Sequence, residues 1–193
     1  MINFLIKVVK VFTKCIFRIR VNGVENIPVD GSCMLCANHI SMWDPVILIC
    51  HLPRRIAFVA KHETQKVPVI GYILKKIGCI FINRGNVDLA AMRSSLKTLA
   101  AGNVLGIFPT GTREKKHPDA QPKSGCTLLA AKSGTKVVPI GINATYRPFS
   151  KIIVNVGEPI DFSRYKGEKC SQTFLEEKTF EIYNKILENK VRV

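Results

Sequence analysis

The chain has 193 residues, 47% hydrophobic and 22% charged, with 29 Lys and Arg against 14 Asp and Glu, a formal net charge of +15. That length suits one domain with a sizeable core. The mean hydropathy of +0.13 is high for a soluble protein, yet no run of about 18 apolar residues is free of charge, which excludes a plain membrane-spanning helix. The cationic surplus points to phosphate-bearing partners, whether nucleic acid, an anionic bilayer or a metabolite.

The first twenty residues, MINFLIKVVKVFTKCIFRIR, put cations at 7, 10, 14 and 18 on one narrow face of a helix. Phe4, Leu5, Val8, Phe12, Cys15 and Ile16 fill the broad remainder. Residues 1–20 are therefore expected to form a basic amphipathic helix lying in a membrane interface. The alternative is a helix docked on its own domain with its lysines in water. No secretory cleavage signal follows, and the seven cysteines (15, 33, 36, 50, 79, 126 and 170) fall mostly in apolar runs. They read as reduced, buried thiols of a cytosolic protein. Cys33 and Cys36 fall in a predicted strand, where positions three apart face opposite ways, so core packing is preferred to a metal site.

Further strands are predicted at Arg18–Asn22, Cys33–Ala37, Ile56–Ala60, Cys79–Ile82, Val104–Phe108, Val137–Ile142 and Ile152–Val156, and helices at 45–51, 67–76, 87–101, 124–132 and 171–189. Asp44-Pro45 reads as a helix cap followed by Pro at the first helical position. Asp88 and Gly102 bracket the helix between them. Short apolar strands alternating with helices predict an α/β fold with a mostly parallel central sheet flanked by helices. Pro139 inside a strand run suggests a bulge or a sheet edge.

Polar residues then follow the strands in order: His39, Lys61, Arg84, and Gly111-Thr112-Arg113. Ligands of open α/β sheets bind beyond the carboxyl ends of the strands, so these residues converge on one cleft. A base candidate surrounded by cations suits proton abstraction from a phosphorylated substrate. Each feature alone also has a plain reading: Asp44 as a cap, His39 as a strand-end residue, the arginines as surface charge, and FPTGTRE as a turn.

Five ordered blocks strengthen the first reading. NHISMWD resembles the N-H-x-x-x-x-D block of glycerolipid acyltransferases, in particular 1-acyl-glycerol-3-phosphate (lysophosphatidic acid) acyltransferases. AKHE at 60–63 with VPVIG, GCIFINRGN at 78–86, IFPTGTRE and VVPIGIN at 137–143 are similar to the family's further blocks. The third block departs from the family's F-P-E-G-T-R, with Thr110 at the acidic position and Glu114 too far along to replace it.

The resemblance implies an acyltransferase domain over 21–193 that moves a fatty acyl chain from a thioester, on acyl carrier protein or coenzyme A, to the hydroxyl of lysophosphatidic acid, giving phosphatidic acid. It implies His39 as base, Asp44 as its orienter, and Lys61, Arg84, Gly111, Thr112 and Arg113 as substrate-binding residues, with no metal and no resident cofactor. Imidazole, with an ordinary pKa of about 6.5, suits general-base work near neutrality. The expected location is the cytoplasmic face of a membrane, peripheral or monotopic, with an anionic surface as partner. A covalent route through Ser41 or Cys36 competes with direct transfer, and a thioesterase or lipid hydrolase would use the same His–Asp pair. Nucleic-acid binding is not expected, because aromatics make up 8% of the chain and lie mostly in apolar runs. A non-enzymatic membrane-binding protein would account for residues 1–20 but not for the blocks.

Overall fold

A computed structural model describes residues 2–68, 70–82, 88–114 and 116–191 of the chain. Helix α1 (Ile2–Ile16) precedes β1 (Arg18–Asn22), β2 (Cys33–Ala37), α2 (Asp44–His51), β3 (Ile56–Lys61), α3 (Ile70–Lys76), β4 (Ile80–Ile82) and α4 (Leu89–Ala100). The chain continues through β5 (Val104–Ile107), α5 (Gly125–Ser133), β6 (Lys136–Ala144), β7 (Lys151–Val156) and α6 (Gln172–Val191). These are the predicted elements, with shifts of a few residues at their ends.

The seven strands form one sheet in the order β1-β7-β6-β2-β5-β3-β4. Strands β6, β2, β5, β3 and β4 run parallel, β7 is antiparallel to β6, and β1 runs parallel to β7. The sheet is thus mostly parallel, as expected, with a reversed pair at one edge. Both faces are covered, which is why the central strands are apolar throughout rather than alternating. Cys33 and Leu35 pack on the face covered by α1, α2 and α3, while Met34 and Cys36 pack on the face covered by α4, α5 and α6. The two cysteines of the C-x-x-C therefore point to opposite sides. Cys15, in contrast to the expectation of buried thiols, is exposed.

Pro139 lies in β6, an inner strand, not at an edge. The ladder to β7 begins one residue later, at Ile140–Val156, and beyond β7 the chain returns only at an isolated Val137–Ile160 bridge. Pro139 faces the gap, where its carbonyl accepts from Gly157 N at 2.8 Å and its missing N–H costs nothing.

Helix α1 ends at Ile16, short of the predicted twenty residues, because Arg18–Asn22 is taken into the sheet. Its last carbonyl accepts from Phe149 N at 2.6 Å. One face docks: Ile6 and Ile16 pack on the core, and buried Thr13 meets Nε2 of His51 in α2 at 3.0 Å. Phe4, Val8, Val11 and Phe12, a second apolar sector, remain exposed. One apolar face of the helix is thus docked on its own domain, and a second apolar sector is left over beside the cations. Among the described residues no helix is long and apolar enough to cross a membrane.

Candidate active site

At the carboxyl end of β2 the chain turns through residues 38–43 into α2. Asn38 is buried, and its amide acts as a piece of strand, donating to Ile142 O at 3.0 Å and accepting from Ile142 N at 2.7 Å. This pins the start of the turn to β6 and aims the next residue, His39, out over the sheet edge.

Asp44 does not cap α2 in the predicted way. It is the first helical residue, preceded by Trp43 already in helical conformation (φ −76°, ψ −21°). Its carboxylate turns back instead, and Oδ2 accepts from Ile40 N, Ser41 N and the His39 ring at Nδ1, each at 2.7 Å. Oδ1 accepts from the phenol of Tyr146 at 2.5 Å. The Asp44 side chain is fully buried. Burying an unpaired carboxylate costs several kcal/mol, and charge-assisted bonds of about 1.5–3 kcal/mol each offset it. With a carboxylate oxygen opposite, Nδ1 of His39 is the donor. Nε2 is left as the acceptor, on a ring 16% exposed.

The loop after β5 closes over the same place. Gly111 N bonds Phe108 O at 2.9 Å in a turn that needs the positive φ of Gly111, 65°. Thr110 is buried and donates Oγ1 to Thr112 O at 2.9 Å, bracing the turn from within. Glu114 N donates to His39 O at 2.8 Å, which sets the 111–113 segment beside the histidine. The Glu114 carboxylate is directed away, to Lys190 of α6 at 2.8 Å, so it does not replace the missing acidic group at 110. An open cleft of about 690 Å³ is lined by Thr110, Gly111 and Thr112, with Lys116, His117 and Lys123 on its wall.

His39 also rests on a stack of rings. Phe108 lies 4.1 Å below it at 17°, and Phe58 of β3 lies 5.4 Å beyond Phe108 at 13°. Gly106 makes room for the stack, since a Cβ there would come within 2.4 Å of the Phe58 ring. Together with Asn38, quoted in the sequence reading only as part of the NHISMWD block, and Tyr146, these residues belong to the site although the sequence reading gave them no role in it.

The family model for acyltransferases matches residues 18–143. The chain belongs to the acyltransferase family. A 1-acyl-sn-glycerol-3-phosphate acyltransferase of Borreliella burgdorferi is 34% identical over 143 residues, 72% of this chain and 57% of that protein. A protein of the same name from Bacillus subtilis is 28% identical over 99% of this chain and 98% of its own length. Among solved structures, the 1-acyl-sn-glycerophosphate (LPA) acyltransferase of Thermotoga maritima superposes with a TM-score of 0.73 at 25% identity, covering 100% of this chain and 82% of that one.

In this acyltransferase, then, His39, Asp44 and the loop carrying Gly111, Thr112 and Arg113 are brought together at the carboxyl edge of the sheet. The backbone of Lys61 ends β3 at the same edge, two strands from β2. Arg84 lies outside the described residues. Cys36 is a poor nucleophile candidate: the neighbouring Cys126 thiol and full burial hold it well above the ordinary thiol value. Ser41 Oγ accepts from Trp43 N at 3.3 Å, and no hydrogen bond among the described residues joins it to His39. Among the described residues no cluster of His, Cys, Asp and Glu is arranged to hold a metal.

Proposed function

We propose that the protein acylates 1-acyl-glycerol-3-phosphate at its free hydroxyl, using a fatty acyl thioester of acyl carrier protein or coenzyme A, and releases phosphatidic acid. The observation that carries this reading is the His39–Asp44 pair, with Nδ1 committed to the carboxylate and Nε2 without a hydrogen bond among the described residues. The names of the Borreliella and Bacillus relatives support the choice of acceptor.

Nε2 of neutral His39 takes the proton of the acceptor hydroxyl as its oxygen attacks the thioester carbonyl carbon. The new C–O bond forms, the tetrahedral intermediate collapses with cleavage of the C–S bond, and the departing thiolate receives the proton from the imidazolium. Asp44 stabilises the imidazolium and keeps the tautomer fixed. Ile40 and Ser41 N–H groups are held by Asp44, so the oxyanion donors are other groups. Arg113, with Lys61 and Arg84, holds the acceptor phosphate.

The exposed sector of α1, with Phe4 73% and Phe12 54% exposed next to Lys7 and Lys14, is the surface proposed to meet an anionic bilayer. Replacing Lys7, Lys10 and Lys14 by Glu should release the protein from anionic vesicles in a sedimentation assay. Unchanged sedimentation would move the contact elsewhere on the molecule.

The deciding experiment incubates purified protein with acyl-coenzyme A or acyl carrier protein thioesters and a panel of lyso-acceptors, and identifies lipid products by mass. Phosphatidic acid formed from lysophosphatidate, and absent in His39→Ala, is the expected result. Free fatty acid as the sole product would replace acyl transfer with hydrolysis.

A further inference from the structure

We propose that Tyr146 is a positioning residue of this site, holding the Asp44 carboxylate so that its other oxygen stays on the His39 ring. The kinetic part of this inference rests on the acyl-transfer reading above; the geometric part does not.

The donors to Asp44 divide into two kinds. Those on Oδ2, from His39, Ile40 and Ser41, belong to the same short connection as Asp44 itself. The bond to Oδ1 comes from Tyr146, 102 residues along the chain and beyond the end of β6. The carboxylate torsion of an Asp side chain is broad and nearly two-fold, so local bonds to one oxygen leave the group able to swivel. A donor from a separate element on the opposite oxygen removes that freedom.

The chain is strained to supply it. Tyr146 has φ +57°, in the left-handed region that a bulky aromatic residue rarely occupies. Such strain persists where the surroundings over-determine it, and it clusters at functional sites. Two features over-determine this one. The Asn38–Ile142 clamp ties the exit of β6 to the start of the His39 connection. The Tyr146 ring also stands edge-on to Phe17, with centroids 5.8 Å apart at 90°, and Phe17 in turn meets Trp43 of the same connection at 5.8 Å.

The phenol is suited to donating and not to taking a proton. Burial, followed by the charge and hydrogen bond of Asp44, pushes it far above the ordinary tyrosine value. Asp44 is the ionisable group it touches, and His39 the next one beyond.

Tyr146→Phe keeps the ring and removes the donor. Two readouts follow, kcat with both KM values, and the NMR titration of the His39 ring in the free protein. We expect kcat to fall roughly 10-fold or more, the worth of one hydrogen bond to a charged group, with KM for both substrates unchanged. The His39 titration should move downward, because a carboxylate no longer held on its other oxygen swivels from the ring and stabilises the imidazolium less. Should the variant fail to fold, a fluorinated tyrosine placed at 146 retains the fold and strengthens the donor, and the His39 titration should move upward. An unmoved His39 titration in the folded variants overturns the proposal even if Tm or kcat drops, since loss of packing alone gives that pattern. If the wild-type protein transfers no acyl group but its His39 titration responds to position 146 in this way, the acyl-transfer reading fails and the positioning role stands.

Discussion

Two connections leave parallel neighbours at the same edge of the sheet and meet at Asp44. The one after β2, residues 38–43, is rich in polar groups, and its bonds to Asp44 span three to five residues. The one after β6, residues 145–150, carries two aromatic residues at positive φ, Tyr146 and Phe149, and sends a single long-range bond into the site. On the proposed mechanism the first holds the group that moves a proton, and the second holds a residue that keeps the first in place. Groups that do chemistry announce themselves by type and spacing. Groups that restrain them can be any residue of the right reach, and their identity depends on a tertiary turn.

The largest expected effect breaks the first connection. Asp44→Asn removes the charge behind His39 and should lower kcat by roughly 2–4 orders of magnitude, by analogy with other orienting carboxylates; steady-state kinetics would show it, and a loss under 10-fold would remove Asp44 from the mechanism.

Next comes the loop that leans on His39 from the β5 side. Arg113→Ala should raise the KM for lysophosphatidate roughly 10- to 100-fold, from the loss of bonds to a charged group. Arg113→Lys should recover only part of the loss, because the bidentate fork is gone. Equal losses on a phosphate-free monoacylglycerol would show that Arg113 does not read phosphate.

The smallest effect lies outside both connections and serves as their control. Burial first, then Lys10 and Lys14, lower His51 from 6.5 to about 4. Below pH 6.5 the unfolded chain takes up a proton that the folded α1–α2 joint refuses, so stability falls from pH 6.5 toward 4 and is indifferent to this residue above that window. The imidazole is half-buried and screened, so a Tm change of about a few degrees is expected. His51→Gln should flatten this part of the Tm–pH curve without altering the His39 titration; an unchanged slope would assign it to other groups.

The sheet was legible because covered parallel strands are apolar and short, and turn residues separate them. His39 and Asp44 were legible as a pair bonded from ring to carboxylate, but the further donors to Asp44, from Ile40 N, Ser41 N and Tyr146, were not. A cap and a back-turned carboxylate begin with the same Asp-Pro, and only the fold decides which N–H groups come within reach. Pro139 argued for an edge because a missing donor is usually accommodated there; the departure of β7 accommodates it inside the sheet. Phe58, Gly106 and Phe108 were hidden among core residues because stacking under a histidine leaves no mark distinct from burial. The left-over apolar sector of α1 was foreshadowed by an arc wider than one docking face needs.

The reversed edge of the sheet also fixes an order in time. Arg18 pairs with Lys151 and Asn22 with Asn155, so β1 has no strand to join until the last quarter of the chain exists. At usual rates of synthesis that interval is on the order of ten seconds. Through it α1 hangs from a strand without a ladder, its final carbonyl still waiting for Phe149. If α1 meets an anionic bilayer as proposed, a ribosome would present that basic, apolar helix to the surface before the sheet of the enzyme is complete.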